Sequence, residues 1–285
     1  MCSWAVSRAI RLVASETFET HEDEVVHIPS RDPGRTIKAH LYRSKNTSHS
    51  EPVPILVNWH GSGYVLPMHG SDEEWCSYIR EKTSYAVLDV SYRLAPEDPF
   101  PKPCEDAQDA VQYILARPEM YDAKHISLSG FSAGGALALG LCHVFPKDTF
   151  EHILVFYPPT DLSKEPHEKI TPDPTETSIP NWLASAVNYC YAPPPTDRSH
   201  PLISPAKIEA SRFPNNMLII TCAHDNLAPE TEQLADRIEK LPGYNVKRRR
   251  MEHCKHGWDK EYTAGSVQER AKDEAYAMAV DMLQM

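Results

Sequence analysis

The order of apolar and polar positions along the chain predicts strands that alternate with helices. Strands are predicted at residues 25–28, 37–42, 54–59, 86–90, 126–128, 153–156, 217–221 and 246–251. Helices are predicted at residues 73–82, 104–116, 133–144, 182–191, 230–241 and 268–283. Because the two kinds of element alternate, the pattern predicts an α/β fold, with a mostly parallel eight-stranded sheet flanked by helices on both faces.

Two stretches depart from this alternation of strands and helices. Residues 1–20 carry Arg8 and Arg11 inside an apolar segment, which indicates an amphipathic helix rather than a signal peptide. Residues 160–205 are rich in proline and hold one short helical piece. An insertion of this length inside a compact domain is more often a lid than a structureless loop. We therefore expect a single domain over residues 1–285, with the N-terminal helix contributing to a cap and residues 160–205 forming a small lid.

Charge narrows the range of partners. The formal net charge is −11, so phosphate backbones and anionic lipid surfaces are repelled, and nucleic acid is not expected as a partner. The basic run at residues 247–250 lies on the last predicted strand, where a solvated edge-strand face is the more common interpretation. No apolar run approaches the ~20 residues that a membrane span needs.

Cysteine usage indicates a reducing compartment. The seven cysteines are odd in number and widely spaced, with no disulfide framework. Reduced thiols and a cytoplasmic location are therefore expected. The run His253-Cys254-Lys255-His256 is the nearest approach to a metal-ligand spacing, and no second cluster of ligands supports it. We expect neither a metal nor a cofactor.

The run Gly130-Phe131-Ser132-Ala133-Gly134 fits the G-x-S-x-G pattern of a nucleophile elbow. A strand is predicted before it and a helix of small residues after it, which is the context that this motif requires. Ser132 would stand at the tip of a sharp turn, with glycines on both sides where a Cβ would collide with backbone. The N-terminus of the following helix would point towards the serine oxygen.

A second glycine-rich run, His60-Gly61-Ser62-Gly63, follows the third predicted strand. Acyl transfer passes through a tetrahedral oxyanion, and backbone N–H groups in a turn of this kind can approach it closely. We assign the oxyanion hole to the N–H groups of Ser62, Gly63 and Ala133. His60 and Gly61 are expected to support the turn.

A serine nucleophile needs a base and an acid, and the sequence offers two candidates for each. Asp225 follows the strand at residues 217–221, and Asp161 follows the preceding strand. His253 and His256 both lie beyond the last strand. His256 precedes Gly257, which allows close approach of the backbone, and the chain order serine, aspartate, histidine suits this class of hydrolase.

Several runs together resemble the hormone-sensitive-lipase group of α/β-hydrolase carboxylesterases. They are HGSG at 60–63, YRLAPE at 92–97, PFP at 99–101, ED at 105–106, GFSAGG at 130–135, LISP at 202–205 and HGW at 256–258. The resemblance extends from about residue 50 to 283. Ser62 stands where the family usually has the middle glycine of its loop, and Trp258 stands where it usually has phenylalanine. The segment at residues 58–64 further resembles fungal members that act in secondary metabolism.

The resemblance implies the α/β-hydrolase fold and a serine esterase with Ser132, Asp225 and His256 as its triad. His256 would take the serine proton, and Asp225 would orient the imidazole and stabilise its charged form. The expected substrate is a small or medium, apolar ester, held in a pocket formed by Tyr64, Trp182, Tyr189 and Trp258. A transacylase, a thioesterase or a C–C bond hydrolase would use the same triad, whereas a non-catalytic receptor is disfavoured because all three residues are present. Oligomeric state stays open.

Overall fold

The computed structural model describes residues 18–47, 51–176 and 179–285, and the predicted N-terminal helix therefore lies largely outside the described residues. Eight strands form one sheet in the order β1-β2-β4-β3-β5-β6-β7-β8. They are β1 Glu24–Pro29, β2 Thr36–Tyr42, β3 Val53–Trp59, β4 Ala86–Val90, β5 Tyr121–Phe131, β6 His152–Phe156, β7 Asn216–Cys222 and β8 Asn245–Met251. Only β2 runs antiparallel to its neighbours, β1 and β4, and the other adjacent pairs are parallel. The predicted mostly parallel eight-stranded sheet is confirmed.

Six α-helices are present within the described residues. They are α1 Glu73–Lys82, α2 Lys102–Leu115, α3 Ala133–Val144, α4 Asn181–Tyr191, α5 Ala228–Glu239 and α6 Val267–Leu283. Side chains of a strand alternate between the two faces of a sheet, so each face carries its own apolar core. Val57 packs in the core that includes α2, α3 and α5, while Leu56 packs in the core that includes α1 and α6.

The largest difference from the predicted elements is in β5. It begins at Tyr121, whereas the sequence pattern predicts a strand only from residue 126. The first half of β5 is polar and partly exposed, and its pairing with β3 is irregular between Val53 and Ile55. The apolar signal that identifies a buried strand therefore covers only the second half of β5.

The basic run lies on β8, which is an edge strand as expected. Arg248 pairs with Asp236, Arg249 with Glu274 and Arg250 with Glu232. These ion pairs place the positive charge of the strand against acidic groups of the flanking helices.

Two further expectations concern cysteines and membrane spans. The six cysteines within the described residues are buried, and no disulfide bond joins any of them. In residues 18–47, 51–176 and 179–285, no helix has the length and apolar character needed to cross a bilayer.

The sheet brings distant segments of the chain together at one edge. Parallel strands end at the same edge, and loops that follow them meet there. The loop after β3 carries residues 60–63, the turn after β5 carries Ser132, the loop after β7 carries Asp225, and the loop after β8 carries His256. The register aligns Trp59 of β3 with Gly130 of β5, so the first two of these segments are adjacent.

Candidate active site

The turn between β5 and α3 holds Ser132 in a strained conformation. Its φ of 49° and ψ of −120° lie in a region that non-glycine residues rarely adopt. A Cβ on Gly130 would lie 2.4 Å from the carbonyl carbon of Gly134, and a Cβ on Gly134 would lie 1.9 Å from the carbonyl oxygen of Trp59. Both positions therefore require glycine, and the tight packing that they allow fixes the position of the serine.

Ser132, His256 and Asp225 form a chain of hydrogen bonds. His256 Nε2 lies 2.7 Å from Ser132 Oγ, and His256 Nδ1 lies 2.7 Å from Asp225 Oδ2. Asp225 is 1% exposed, and its other carboxylate oxygen accepts a hydrogen bond from the N–H of Leu227 at 3.0 Å. A carboxylate, an imidazole and a hydroxyl in this order can transfer the hydroxyl proton to the ring while the carboxylate stabilises the resulting charge.

The rival candidates for the acid and the base have other partners. Asp161 forms an ion pair with Lys207 at 3.0 Å and also accepts a hydrogen bond from Ser163. His253 is exposed, with a positive φ of 59°. The structure therefore brings Asp225 and His256, rather than Asp161 and His253, to the serine.

The loop after β3 is held by Ser62, the residue that departs from the family pattern. Ser62 Oγ lies 2.6 Å from the hydroxyl of Tyr92 and accepts a hydrogen bond from the N–H of Tyr64 at 2.8 Å. A glycine could make neither contact. Within the described residues, no acceptor is hydrogen-bonded to the N–H groups of Ser62, Gly63 or Ala133. These three N–H groups are therefore available to an incoming oxygen.

His60 lies at the base of this loop. Its ring stacks on the ring of Tyr92 with 4.5 Å between centroids, and its carbonyl oxygen accepts a hydrogen bond from the Tyr92 hydroxyl at 2.7 Å. Burial and the nearby His69 ring lower the pKa of His60 to about 3, so the imidazole stays neutral at physiological pH. Its contacts with Tyr92 suit the supporting role that the sequence predicts for His60.

A cavity of about 220 Å³ opens beside Ser132 and His256. Most of its lining side chains are apolar, and they come from the loop after β3, the segment after β6, α4 and the loop after β7. They include Tyr64, Val65, Leu66, Leu162, Ile179, Leu183, Ala184, Val187 and Leu227. Of the predicted pocket residues, Tyr64 lines this cavity.

The structure corrects the other three pocket expectations. Trp182 and Tyr189 are 66% and 48% exposed, and neither lines the cavity. They lie on the outer side of α4, because helical periodicity turns residues 183, 184, 187 and 188 inwards instead. Trp258 is buried outside the cavity and packs edge-on against Tyr157.

A second cavity, of about 270 Å³, adjoins the first. It shares Ser62, Gly63, Leu66, Ser132 and His256 with the first cavity, and it extends to Tyr157 and Lys260. The Ser132 hydroxyl thus borders two cavities.

The sequence pattern does not indicate the residues that hold the loop after β8, which carries His256. Tyr157 has a positive φ of 42°, and its ring centroid lies 4.6 Å from that of His256. Its hydroxyl donates to Asp259 Oδ1 at 2.5 Å, and Asp259 Oδ2 lies 3.0 Å from Lys260 Nζ. Lys260 also pairs with Asp72 at 2.9 Å. Asp259 follows the His-Gly-Trp run closely, but no local pattern indicates a tyrosine so far away in the chain.

Comparisons with known proteins identify the family to which this chain belongs. Residues 56–260 match a family model described as the alpha/beta hydrolase fold. An ethyl acetate hydrolase of Pseudomonas putida is 28% identical, covering 96% of this chain and 86% of its own length. A thermostable carboxylesterase from a metagenomic library superimposes with a TM-score of 0.81 at 25% identity, covering 99% of this chain and 98% of its own. An esterase of Pyrobaculum calidifontis superimposes with a TM-score of 0.80 at 26% identity, covering 99% of this chain and 90% of its own.

Proposed function

Because this chain belongs to the α/β-hydrolase fold family and is a carboxylic ester hydrolase, we propose that Ser132, His256 and Asp225 form its catalytic triad. The observation that carries the proposal is the pair of 2.7 Å contacts from the two ring nitrogens of His256. One reaches the hydroxyl that must lose a proton, and the other reaches a buried carboxylate. An imidazole held at both ends in this way can act as a general base without reorientation.

The reaction proceeds through a covalent acyl-enzyme. Ser132 Oγ attacks the ester carbonyl carbon while its proton moves to His256 Nε2, and the N–H groups of Ser62, Gly63 and Ala133 stabilise the resulting oxyanion. The tetrahedral intermediate collapses, and the leaving alkoxide takes the proton from His256. Water then attacks the acyl-Ser132 carbonyl carbon and gives one proton to His256. Collapse of this second tetrahedral intermediate releases the carboxylic acid, and His256 returns the proton to Ser132 Oγ. Each half of the cycle restores the neutral imidazole.

The substrate is an uncharged ester with a small or medium apolar group. The 220 Å³ cavity has room for about seven waters, and its walls are mainly aliphatic. Its one lysine, Lys169, pairs with Glu230 at 2.8 Å, and both side chains are buried. Because this positive charge is already compensated, the cavity favours an apolar group over an anionic one.

A fluorophosphonate probe tests whether Ser132 is an activated nucleophile. We expect stoichiometric labelling of the native chain, and mass spectrometry of its peptides should place the adduct on Ser132. The reason is that phosphonylation requires a serine whose proton is removed during attack. Heat-unfolded protein is the matched control and should not react, since unfolding separates Ser132 from His256. A native chain that stays unlabelled would contradict the triad and favour a receptor.

Replacing Val187 with phenylalanine should restrict the enzyme to esters with shorter acyl chains. A Cβ on Gly63 would lie 3.2 Å from Val187 Cγ1, so Val187 contacts the oxyanion loop, residues 60–63. The larger ring of phenylalanine at this position would fill part of the cavity. We expect kcat/KM for a p-nitrophenyl hexanoate to fall roughly 10-fold to 200-fold relative to the acetate. Trp182→Ala, on the outer side of the same helix, should leave the ratio of kcat/KM for the hexanoate to kcat/KM for the acetate unchanged. An unchanged ratio for Val187→Phe would place the substrate elsewhere.

A further inference from the structure

Two histidines and one aspartate form a cluster that the triad does not use. His40 on β2 lies directly opposite Asp89 on β4, and His69 lies in the loop before α1. One ring nitrogen of each histidine and one carboxylate oxygen of Asp89 lie within 4.8 Å of one another. His40 is 3% exposed and Asp89 is 1% exposed. The three side chains thus direct metal-ligand atoms into one small buried volume.

The hydrogen bonding of this cluster is incomplete. Within the described residues, neither ring nitrogen of His40 has a hydrogen-bond partner, and the same holds for Asp89 Oδ2. Buried polar atoms in folded proteins are almost always hydrogen-bonded or bound to an ion. Asp89 Oδ2 lies 3.5 Å from His69 Nε2, which is too long for a hydrogen bond of normal strength. Unpartnered atoms on two buried side chains of one cluster therefore indicate a bound group.

We propose that His40, His69 and Asp89 bind a divalent transition-metal ion of the Zn²⁺ class. Imidazole nitrogen and carboxylate oxygen are the donor set that such ions accept. Asn58 Nδ2 donates to Asp89 Oδ1 at 2.9 Å, which orients the carboxylate and leaves Oδ2 for the ion. Glu22 Oε1, at 3.7 Å from His40 Nε2, is the nearest candidate for a fourth ligand.

Electrostatics favour a cation over a water molecule at this point. A water would complete the hydrogen bonds but would bring no charge to the buried carboxylate of Asp89. The nearby cation Lys260 is paired with Asp72 and Asp259.

A metal ion here would be structural. It would connect β2, β4 and the loop before α1, and the ring of His69 lies 6.0 Å from that of His60 at the base of the oxyanion loop. Binding to the folded state alone would raise the unfolding temperature. This inference does not depend on the triad, because none of its ligands takes part in the proposed reaction.

Metal binding can be measured directly on the full chain. After treatment with a chelator and desalting, titration calorimetry with Zn²⁺ should show one site per chain with a Kd of about 1 μM or tighter. Co²⁺ at the same site should give visible d–d absorption, and Zn²⁺ should displace it. Zn²⁺ should also raise the Tm. Wild-type protein that binds Zn²⁺ more weakly than about 100 μM would overturn the proposal and leave a water-filled cluster.

Variants distinguish Zn²⁺ binding at the cluster from adventitious Zn²⁺ binding at the surface. His40→Phe and Asp89→Asn should each weaken Zn²⁺ binding by about 100-fold or more and abolish the Co²⁺ spectrum. His125→Phe, which removes a half-exposed histidine outside the cluster, should leave the Kd unchanged. Circular dichroism identifies any variant that fails to fold. If His40→Phe does not fold, Asp89→Asn provides the second test. A folded cluster variant that binds as tightly as the wild type would refute the site.

Discussion

Replacing Ser132 with alanine should lower kcat for a p-nitrophenyl ester by on the order of 10⁶-fold. The variant keeps the cavities and the N–H groups of Ser62, Gly63 and Ala133, but it has no oxygen to form the acyl-enzyme. The remaining rate should come only from binding and oxyanion stabilisation of attack by water. Steady-state kinetics with highly purified protein, together with circular dichroism, measure the effect and verify that the fold is intact.

A neighbouring serine provides the control. Ser127 is buried on β5, the strand that ends just before Ser132, and its Oγ lies 3.1 Å from His152 Nδ1. Ser127→Ala should cost about 1 kcal/mol of unfolding free energy through the lost hydrogen bond while leaving kcat within a few-fold. Turnover retained by folded Ser132→Ala would mean that another group performs the attack. The proposed triad would then have to be abandoned.

Much of this architecture could be predicted because it depends on local patterns. A buried parallel strand is a short apolar run, and a helix shows its own period, so β3, β6 and α3 can be located from the order of apolar and polar residues. The candidate site follows from the fold, since loops after parallel strands meet at one sheet edge. The glycines around Ser132 are similarly informative, because backbone contacts leave no space for a Cβ there.

The parts that could not be predicted depend on side-chain directions and distant contacts. The outer position of Trp182 depends on how α4 is rotated about its axis, and an aromatic side chain does not by itself indicate the face on which it lies. The contact between Tyr157 and Asp259 joins the loop after β6 to the loop after β8, 102 residues further along the chain. The same is true of His40 and Asp89, which become neighbours only when β2 pairs with β4. A search for closely spaced metal ligands cannot find such a pair.

Replacing Asp225 with asparagine should lower kcat by on the order of 10⁴-fold with little change in KM. The size of the side chain is kept, so the loop after β7 and the hydrogen bond from the N–H of Leu227 can persist. The amide, however, can donate to His256 Nδ1, which favours the tautomer with its proton on Nε2. That tautomer cannot accept the proton of Ser132, and the charged imidazolium would lose its carboxylate partner.

Asp161→Asn is the matched control for this variant, because Asp161 also follows a strand and is also buried. It should weaken the pairing with Lys207 and lower stability, yet keep kcat within a few-fold of the wild type. Parallel measurement of kcat, KM and the unfolding midpoint separates loss of catalysis from loss of folding. If Asp161→Asn were the inactive variant and Asp225→Asn were active, the acid of the triad would be Asp161. The 2.7 Å contact between Asp225 and His256 would then have no catalytic role.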